Sequence, residues 1–361
     1  MNIRKLLIRT LILILIFLGL SAITVIVFDP FYHYHRPLPG LKAVLTEKEY
    51  QCIGTLKHFD YDAVIAGSSV SENYNNNWFN EGFDCTSVKA IRSYGATADL
   101  CYLLDQAFES GNDIRYVFYN CDPSSLMADT DTTFDETGCP MYLYDDDPIN
   151  DVSYLFNKDV ILQRIPYMIA RSCLEEYDEG TSYNWGQWKE FNLDMCTGLY
   201  LRHPKVSEMH DIHYMDERLN GNIALMEELI RAHPDTEFII YMPPYSMLWW
   251  DNVYREGDTE FYLYATRTLM NRLVGYDNVR FYYYMNDREI ILDIENNYMD
   301  TLHFSPDINY LIYETLRDDS DRYRITVDNI DAAVEDMRKL AYEITDRLMI
   351  PYIPLIKEQI E

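Results

Sequence analysis

Basic residues are scarce in this chain. Its 361 residues include 30 lysines and arginines against 59 aspartates and glutamates, which gives a formal net charge of -29. A nucleic-acid-binding protein must neutralise phosphates with basic side chains, so this charge excludes DNA and RNA as partners. It also disfavours a basic patch on anionic lipid headgroups. Any attachment to a membrane therefore has to come from a hydrophobic segment.

Metal-binding patterns are absent as well. The seven cysteines contain no C-x-x-C pair, and their odd number leaves at least one without a disulfide partner. We expect them to be small buried side chains, because a domain of this size can be stabilised by its core. The histidine-containing segment 203–216 also lacks a known ligand spacing, although it includes His203, His210 and His213. We therefore expect neither a metal nor another cofactor.

Long hydrophobic runs are absent except for one near the N-terminus. Residues 11–28 read LILILIFLGLSAITVIVF, which is 18 residues without a charge and nearly enough for a helix to cross the hydrocarbon layer of a bilayer. Arg4, Lys5 and Arg9 precede this run and Asp29 follows it, so the positive-inside rule predicts a cytoplasmic N-terminus and an exported remainder. A cleaved signal peptide is the alternative, but the run is long for one and no A-x-A-like site follows.

The rest of the chain alternates between short β-rich runs and helical stretches, which predicts an α/β fold. We expect a three-layer α/β/α domain with a parallel five-stranded sheet covered on both faces. The predicted strands are residues 62–66, 83–89, 114–120, 236–242 and 278–284. The predicted helices are residues 96–110, 214–232, 260–274 and 327–348.

These patterns predict a division of the chain into three parts. We expect a cytoplasmic N-terminus and membrane anchor at residues 1–28, a stalk at 29–55 and a catalytic domain at 56–361. Residues 123–212 interrupt the alternation with an acidic stretch, a predicted helix at 151–176 and a loop rich in tyrosine and tryptophan. Because ligands of open α/β sheets bind at the carboxyl ends of strands, we interpret this insert as a cap over substrate.

Two short motifs carry groups for nucleophilic catalysis. The first predicted strand runs into Gly67, Ser68 and Ser69, where a glycine permits a sharp turn and a serine is held near a helix N-terminus. Helix capping by either serine is the alternative function. Past the last strand stands Asp300-Thr301-Leu302-His303. A serine needs a histidine to accept its proton, and the histidine needs a carboxylate to orient it, so the two motifs together favour catalysis.

Four sequence blocks resemble those of the SGNH (GDSL-like) hydrolase superfamily, in particular its single-span extracytoplasmic proteins related to bacterial polysaccharide O-acetylation factors. The blocks are IAGSSV at 65–70, SYGATAD at 93–99, FIIYMPPYS at 238–246 and NNYMDTLHFSPDIN at 296–309. The resemblance covers most of the chain outside the insert and implies the flavodoxin-like SGNH fold. The last block is the most specific.

By this resemblance Ser69 is the nucleophile, His303 the base and Asp300 the carboxylate that orients it. The backbone N–H groups of Ser69 and Gly95 would bind the oxyanion. Two blocks depart from the family pattern. The usual Gly-Asp-Ser is Gly-Ser-Ser, which leaves Ser68 as an alternative nucleophile. The usual Gly-x-Asn-Asp reads YNCD at 119–122, so Asn120 is the candidate for the side-chain donor. Without it, we expect weak activity on unactivated esters.

Aromatic residues after the fourth predicted strand are candidates for substrate binding. Three aromatic residues follow that strand, and their rings could stack on a sugar: Tyr245, Trp249 and Trp250. Simple packing is the alternative for all three.

Residues and resemblance together predict a membrane-anchored, extracytoplasmic serine acyl-ester hydrolase or O-acyltransferase. Its expected substrate is an acylated cell-surface or exported polysaccharide, and its expected location is the cytoplasmic membrane of a bacterium. The resemblance implies a membrane-bound O-acyltransferase as a partner that delivers the acyl unit. Two alternatives stay open: an esterase with water as the acceptor, and a catalytically inactive glycan-binding or assembly subunit.

Overall fold

The computed structural model describes residues 3–134, 138–174 and 176–358. The chain divides into two compact units, the first formed by residues 1–60 and 134–183 and the second by residues 61–133 and 184–361. The predicted insert is therefore divided, since its middle part belongs to the first unit and both of its ends to the second. The division into anchor, stalk and catalytic domain stays a prediction.

Most of the described chain is helical, and the strands are short. The α-helices are α1 (Ile3–Phe28), α2 (Lys48–His58), α3 (Asn76–Phe83), α4 (Thr97–Glu109), α5 (Val152–Leu155), α6 (Ile165–Ser172), α7 (Leu193–Leu199), α8 (Asp216–Ala232), α9 (Met247–Glu256), α10 (Thr259–Leu273), α11 (Arg288–Ile291), α12 (Pro306–Arg317) and α13 (Ile330–Glu343). The strands are β1 (Ala63–Gly67), β2 (Ser87–Ile91), β3 (Tyr116–Asn120), β4 (Leu201–Arg202), β5 (Glu237–Met242), β6 (Val279–Tyr283), β7 (Arg324–Ile325) and β8 (Lys357–Glu358).

The helix α1 belongs to the first unit and is long and apolar enough to span a membrane by length and composition. Among its described residues only Val25 is buried. The first unit also contains α2, α5 and α6. The helix predicted at residues 151–176 is wrong in its continuity, since it is divided into α5, a π-helical turn at Val160–Arg164 and α6. Pro166 in the first turn of α6 has no N–H to continue a preceding helix.

The second unit contains a six-stranded sheet in the order β2-β1-β3-β5-β6-β7, and β4 pairs separately with β8. Every pair in the larger sheet is parallel except the antiparallel β6 and β7. The prediction of five strands is wrong, because β7 has two residues and is too short to give a periodic pattern. The five parallel strands follow the order β2-β1-β3-β5-β6, which is that of a doubly wound sheet. In such sheets ligands bind outside the carboxyl ends of the strands, next to the β1/β3 switch point.

Helices cover both faces of this sheet. In the register of β3 and β5, Val117 is paired with Phe238, so the next residue, Phe118, points to the opposite face from Phe238. Phe118 packs against Phe79 of α3, with ring centroids 4.6 Å apart. On the other face Phe238 packs against Phe108 of α4, with centroids 6.4 Å apart. The strands are accordingly buried along nearly their whole length.

Most of the predicted elements of this unit agree with the structure to within a few residues, but the start of the second strand is wrong. The sequence predicts this strand at residues 83–89, and the structure has it at Ser87–Ile91. Phe83 instead ends the helix α3, which stops where Asp84 adopts a left-handed conformation with φ of 49°. The aromatic residue at the end of α3 resembles the start of a strand when only the sequence is considered.

Candidate active site

Ser69 lies at the carboxyl end of β1, in the turn that leads out of the sheet. It is the first residue of a 3₁₀-helix at Ser69–Ser71, so its backbone N–H has no acceptor within that helix. Gly67 makes this turn possible, because a Cβ atom there would collide with Ser71 Oγ and lie 2.7 Å from the Cβ of Asn120. The turn therefore brings Ser69 to the edge of the sheet with its hydroxyl partly exposed.

Ser69, His303 and Asp300 form one hydrogen-bonded chain. Ser69 Oγ lies 2.8 Å from His303 Nε2, and His303 Nδ1 lies 2.7 Å from Asp300 Oδ2. The other carboxylate oxygen of Asp300 accepts the backbone N–H of Leu302 at 2.9 Å and of His303 at 2.7 Å. The structure thus brings together the three residues predicted to be catalytic, which are far apart in the chain.

Electrostatics keep Asp300 ionised. Burial acts to raise its pKa, but the hydrogen bond and charge of His303 and the two backbone N–H donors outweigh burial. The pKa of Asp300 therefore lies below its ordinary value. An ionised carboxylate on Nδ1 keeps the proton of the neutral imidazole on that nitrogen, which leaves Nε2 as an acceptor for the serine proton.

Hydrogen bonds connect the loop that carries Asp300 and His303 to the segment between β5 and α9. Ser246, the residue before α9, donates its hydroxyl to the carbonyl of Thr301 at 2.7 Å and its N–H to the same carbonyl at 3.1 Å. On the other side the buried thiol of Cys196 donates to the carbonyl of Asp300 at 3.2 Å. These contacts fix the loop from two directions and set the position of the imidazole.

A second carboxylate, Asp122, lies at the carboxyl end of β3. Its Oδ1 accepts the side-chain amide of Asn120 at 2.8 Å and the hydroxyl of Tyr245 at 2.5 Å. Burial raises the pKa of Asp122, and the neighbouring side chains of Ser68, Tyr245 and Asn120 oppose that shift. Ser68 thus lies near Asp122, whereas the hydroxyl of Ser69 is in hydrogen-bond contact with His303.

Two of the three predicted oxyanion donors are engaged elsewhere. Gly95 borders the same cavity as Ser69, but its N–H donates to the carbonyl of Arg92 at 3.1 Å. Asn120 is 1% exposed and gives its amide to Asp122, so it lies beneath the cavity. Its side chain shares the buried end of β3 with that carboxylate, which draws the amide inward. Ser69 itself keeps an N–H without a helical acceptor.

The aromatic candidates separate into one cavity residue and two core residues. Tyr245 borders the cavity. Trp249 is 9% exposed and Trp250 is 1% exposed, and their rings pack edge to face with centroids 5.0 Å apart. Neither tryptophan is among the residues that line the cavity. Their position on α9 turns them inward, so the packing alternative describes them.

The cavity has a volume of about 510 Å³, and two aromatic residues near it were not predicted as site residues. Tyr94 borders it, is 91% exposed and has a left-handed φ of 55°. Trp185 stands edge-on to the imidazole of His303, with centroids 5.2 Å apart and planes at 84°. Asn73 holds the Trp185 loop by accepting the N–H groups of Trp185 at 3.1 Å and Gly186 at 2.7 Å. The sequence signal was the aromatic loop of the insert, but its contact with His303 is tertiary.

The histidines near residue 210 contact separate carboxylates. His210 Nδ1 lies 2.7 Å from Asp258, and His213 Nδ1 lies 3.0 Å from Asp216. Within residues 3–134, 138–174 and 176–358, no group of three or more histidine, cysteine or acidic side chains could hold a metal ion.

Fold and site together define an α/β protein with a serine–histidine–aspartate chain of hydrogen bonds at the carboxyl edge of its sheet. Comparison with family models, with curated proteins and with solved structures gives no match for the chain.

Proposed function

We propose that this protein is a serine acyl-ester hydrolase or O-acyltransferase with an SGNH-like fold. The observation that carries the proposal is the pair of short contacts through His303, 2.8 Å to Ser69 Oγ and 2.7 Å to Asp300. A hydroxyl becomes a useful nucleophile when a base in hydrogen-bond contact accepts its proton. Ser69, and not the preceding Ser68, is the serine whose hydroxyl is in contact with His303, which favours Ser69 as the nucleophile.

The proposed reaction has two steps with the same proton carrier. Ser69 Oγ attacks the acyl carbonyl while His303 takes the serine proton, and Asp300 stabilises the imidazolium. The tetrahedral intermediate expels the alcohol, which receives that proton, and an acyl-serine remains. Water or a sugar hydroxyl then attacks the acyl carbonyl and gives its proton to His303. Collapse of the second intermediate releases the acyl product and returns the proton to Ser69.

The oxyanion donors set the expected rate. The backbone N–H of Ser69 is one available donor, whereas the N–H of Gly95 is bonded to Arg92. The side-chain amide of Asn120 is buried, and one of its N–H groups is bonded to Asp122. Loss of a single donor commonly costs about 10²–10³-fold in rate. We therefore expect good activity on activated esters and slow turnover of ordinary sugar esters.

We propose a membrane anchor and an extracytoplasmic location for the catalytic residues. The helix α1 supports an anchor by its length and composition, and the basic residues before it support a cytoplasmic N-terminus in a bacterial cytoplasmic membrane. Such anchoring favours a cell-surface or exported polysaccharide as substrate, with a membrane-bound O-acyltransferase as the source of acyl groups. The exposed ring of Tyr94 at the cavity supports a sugar ligand.

The test is hydrolysis of an activated acetyl ester by the full chain in detergent micelles. Ser69→Ala should abolish activity above background, while Ser68→Ala and Ser124→Ala, which remove two other hydroxyls of the same cavity, should retain most of it. A fluorophosphonate probe should label the wild-type protein on Ser69. If the wild type and the three serine variants hydrolyse the ester at equal rates, the proposed serine mechanism is wrong.

The alternative is a catalytically inactive glycan-binding or assembly subunit. The engaged amide of Asn120 and N–H of Gly95 favour it, because they leave the oxyanion with few donors. Under this alternative a correctly folded protein would resist the fluorophosphonate, and an acylated polysaccharide would bind equally well to the wild type and to Ser69→Ala.

A further inference from the structure

The first unit exposes an apolar segment, residues 149–174, beside the helix α1. Six of its large apolar side chains are between 42% and 78% exposed. They are Ile149, Val152, Phe156, Leu162, Tyr167 and Leu174. Other apolar side chains of the same segment, such as Tyr154 and Met168, are buried in the unit. Exposed polar residues interrupt the outer side of the segment, among them Ser153, Lys158, Asp159 and Gln163. The six large apolar side chains beside them are nevertheless more than is usual for a surface in water.

The outer side of the apolar segment continues the exposed surface of α1. Together they form a groove of about 410 Å³, lined on the helix by residues that include Phe17 and Leu20 and on the segment by residues that include Phe156 and Leu162. Most side chains of α1 are themselves exposed. If α1 spans a bilayer, the two exposed apolar surfaces form one continuous surface for lipid.

Hydrogen bonds clamp the apolar segment to the end of α1. Tyr154 donates its hydroxyl to Asp29, the first residue after the helix, at 2.8 Å. The same carboxylate accepts backbone N–H groups of His33, Tyr34 and His35. Asp151 in turn contacts His33 Nε2 at 3.0 Å and accepts the hydroxyl of Tyr34 at 3.0 Å. These hydrogen bonds therefore fix the position of the apolar segment along the axis of α1.

The groove between the apolar segment and α1 extends from Thr24 back to Phe17, well before the C-terminal end of the helix. Phe17 and the last helical residue, Phe28, are roughly 16 Å apart along the axis at the usual rise per residue, and a bilayer has a hydrocarbon layer about 30 Å thick. Side chains packed beside Phe17 would lie near the middle of the hydrocarbon layer, and those packed beside Thr24 would lie within its half at the C-terminal end of α1. Lys158 also lines the groove, and its aliphatic stem can cover apolar surface while its ammonium stays in polar surroundings.

We propose that the apolar segment, residues 149–174, lies in the membrane leaflet at the C-terminal end of α1, with its six exposed large apolar side chains among phospholipid acyl chains. The inference rests on the part of the proposed function in which α1 spans a membrane. The first unit is then attached to the membrane by two apolar elements.

The test is quenching of added tryptophans by brominated lipids. The full chain is reconstituted in vesicles of phosphatidylcholine and phosphatidylglycerol with bromine on the acyl chains. The variant Leu162→Trp reports on the segment, and Leu13→Trp reports on α1. Fluorescence of the wild type, which has five native tryptophans, is subtracted. Leu162 is 73% exposed, so the substitution should leave the fold intact.

We expect bromine to quench Leu162→Trp to an extent comparable with Leu13→Trp, and aqueous iodide to quench neither. Quenching of Leu13→Trp by lipid together with quenching of Leu162→Trp by iodide would overturn this inference and leave the anchor. If lipid quenches neither variant, both the membrane span of α1 and the membrane position of the apolar segment are wrong. Protection of Leu162→Trp from lipid and iodide alike would overturn lipid as the occupant and point to a second copy of the chain or another protein.

Discussion

Asn309 of α12 donates its side-chain amide to the carbonyl of Val70 at 3.0 Å. Val70 follows Ser69, and α12 follows the loop that carries His303, so this bond connects the elements on which the two residues lie. Asn309 is fully buried, and removing the donor would leave a buried carbonyl without its partner. Such a loss commonly costs about 1–3 kcal/mol.

The variant Asn309→Ala should therefore lose stability and also the alignment of Ser69 with His303. We expect a lower thermal midpoint and a fall in kcat on an activated ester of about tenfold or more, because small misplacements of reacting groups are costly. Asn329→Ala is the control, since Asn329 bonds the carbonyl of Arg324 away from the site. It should lower the midpoint and leave kcat of the folded protein unchanged. Equal kcat values for both variants would contradict a positioning role for Asn309.

Asp300→Asn tests the orienting carboxylate. Asparagine keeps the shape but not the charge, so the imidazole loses its preferred tautomer and kcat should fall by about 10³–10⁴-fold. Asp307→Asn removes an exposed carboxylate from the first turn of α12 and should have little effect. Because the pKa of Asp300 is lowered on folding, its stabilising contribution is present above its ordinary pKa and is lost as the pH falls through the lowered value. Thermal midpoints below about pH 4 should thus decline less in the variant.

Trp185 and Trp188 offer a matched pair in one loop. Trp185 stands against the imidazole of His303, whereas Trp188 is 78% exposed. Trp185→Ala removes one wall of the imidazole site and should lower kcat/KM on the small ester by several-fold. Trp188→Ala should leave that rate unchanged. The measurement is kcat/KM of the two variants on the small ester from steady-state kinetics. Equal values for both variants would contradict a role for Trp185.

Tyr94 combines an exposed ring with a backbone conformation that few side chains prefer. Asparagine tolerates a positive φ better than tyrosine does, so Tyr94→Asn should keep the thermal midpoint or raise it slightly. If the ring stacks on a sugar, KM for an acetylated oligosaccharide should rise by about 2- to 10-fold. The rate on the small activated ester should stay the same. An unchanged KM would remove Tyr94 from the sugar site.

Lys89 predicts a pH dependence of stability. Its ammonium donates to the carbonyls of Glu72 at 2.7 Å and Tyr74 at 2.6 Å, and burial lowers its pKa from 10.5 to about 7. Between these values the unfolded chain holds a proton that the folded one has lost, so the free energy of unfolding rises with pH, by at most about 1.4 kcal/mol per unit.

The difference in thermal midpoint between the wild type and Lys89→Met should accordingly grow in favour of the wild type from about pH 7 upwards. Lys339→Met, which removes an exposed lysine, should show no such trend. A difference that stays constant with pH would mean that Lys89 keeps its proton in the folded protein.

Local patterns in the sequence were sufficient for much of this protein. The apolar composition of residues 11–28 predicted the helix α1, and the alternation of β-rich and helical stretches predicted the mixed α/β fold. Ser69 could be singled out because it follows a predicted strand directly, and Asp300 and His303 because they form an Asp-x-x-His motif past the last predicted strand. The resemblance to SGNH hydrolases implied the same three residues, and parallel strands bring their carboxyl ends to one edge.

Only the tertiary structure decided the details of the cavity. It turned the amide of Asn120 to Asp122, gave the N–H of Gly95 to Arg92, buried Trp249 and Trp250, and brought Trp185 to His303. It also added the short strand β7 and joined residues 134–183 to the N-terminal part of the chain. Spacing along the chain reports which element a residue belongs to. The acceptor of an N–H and the direction of a ring depend on packing between elements that are distant in sequence.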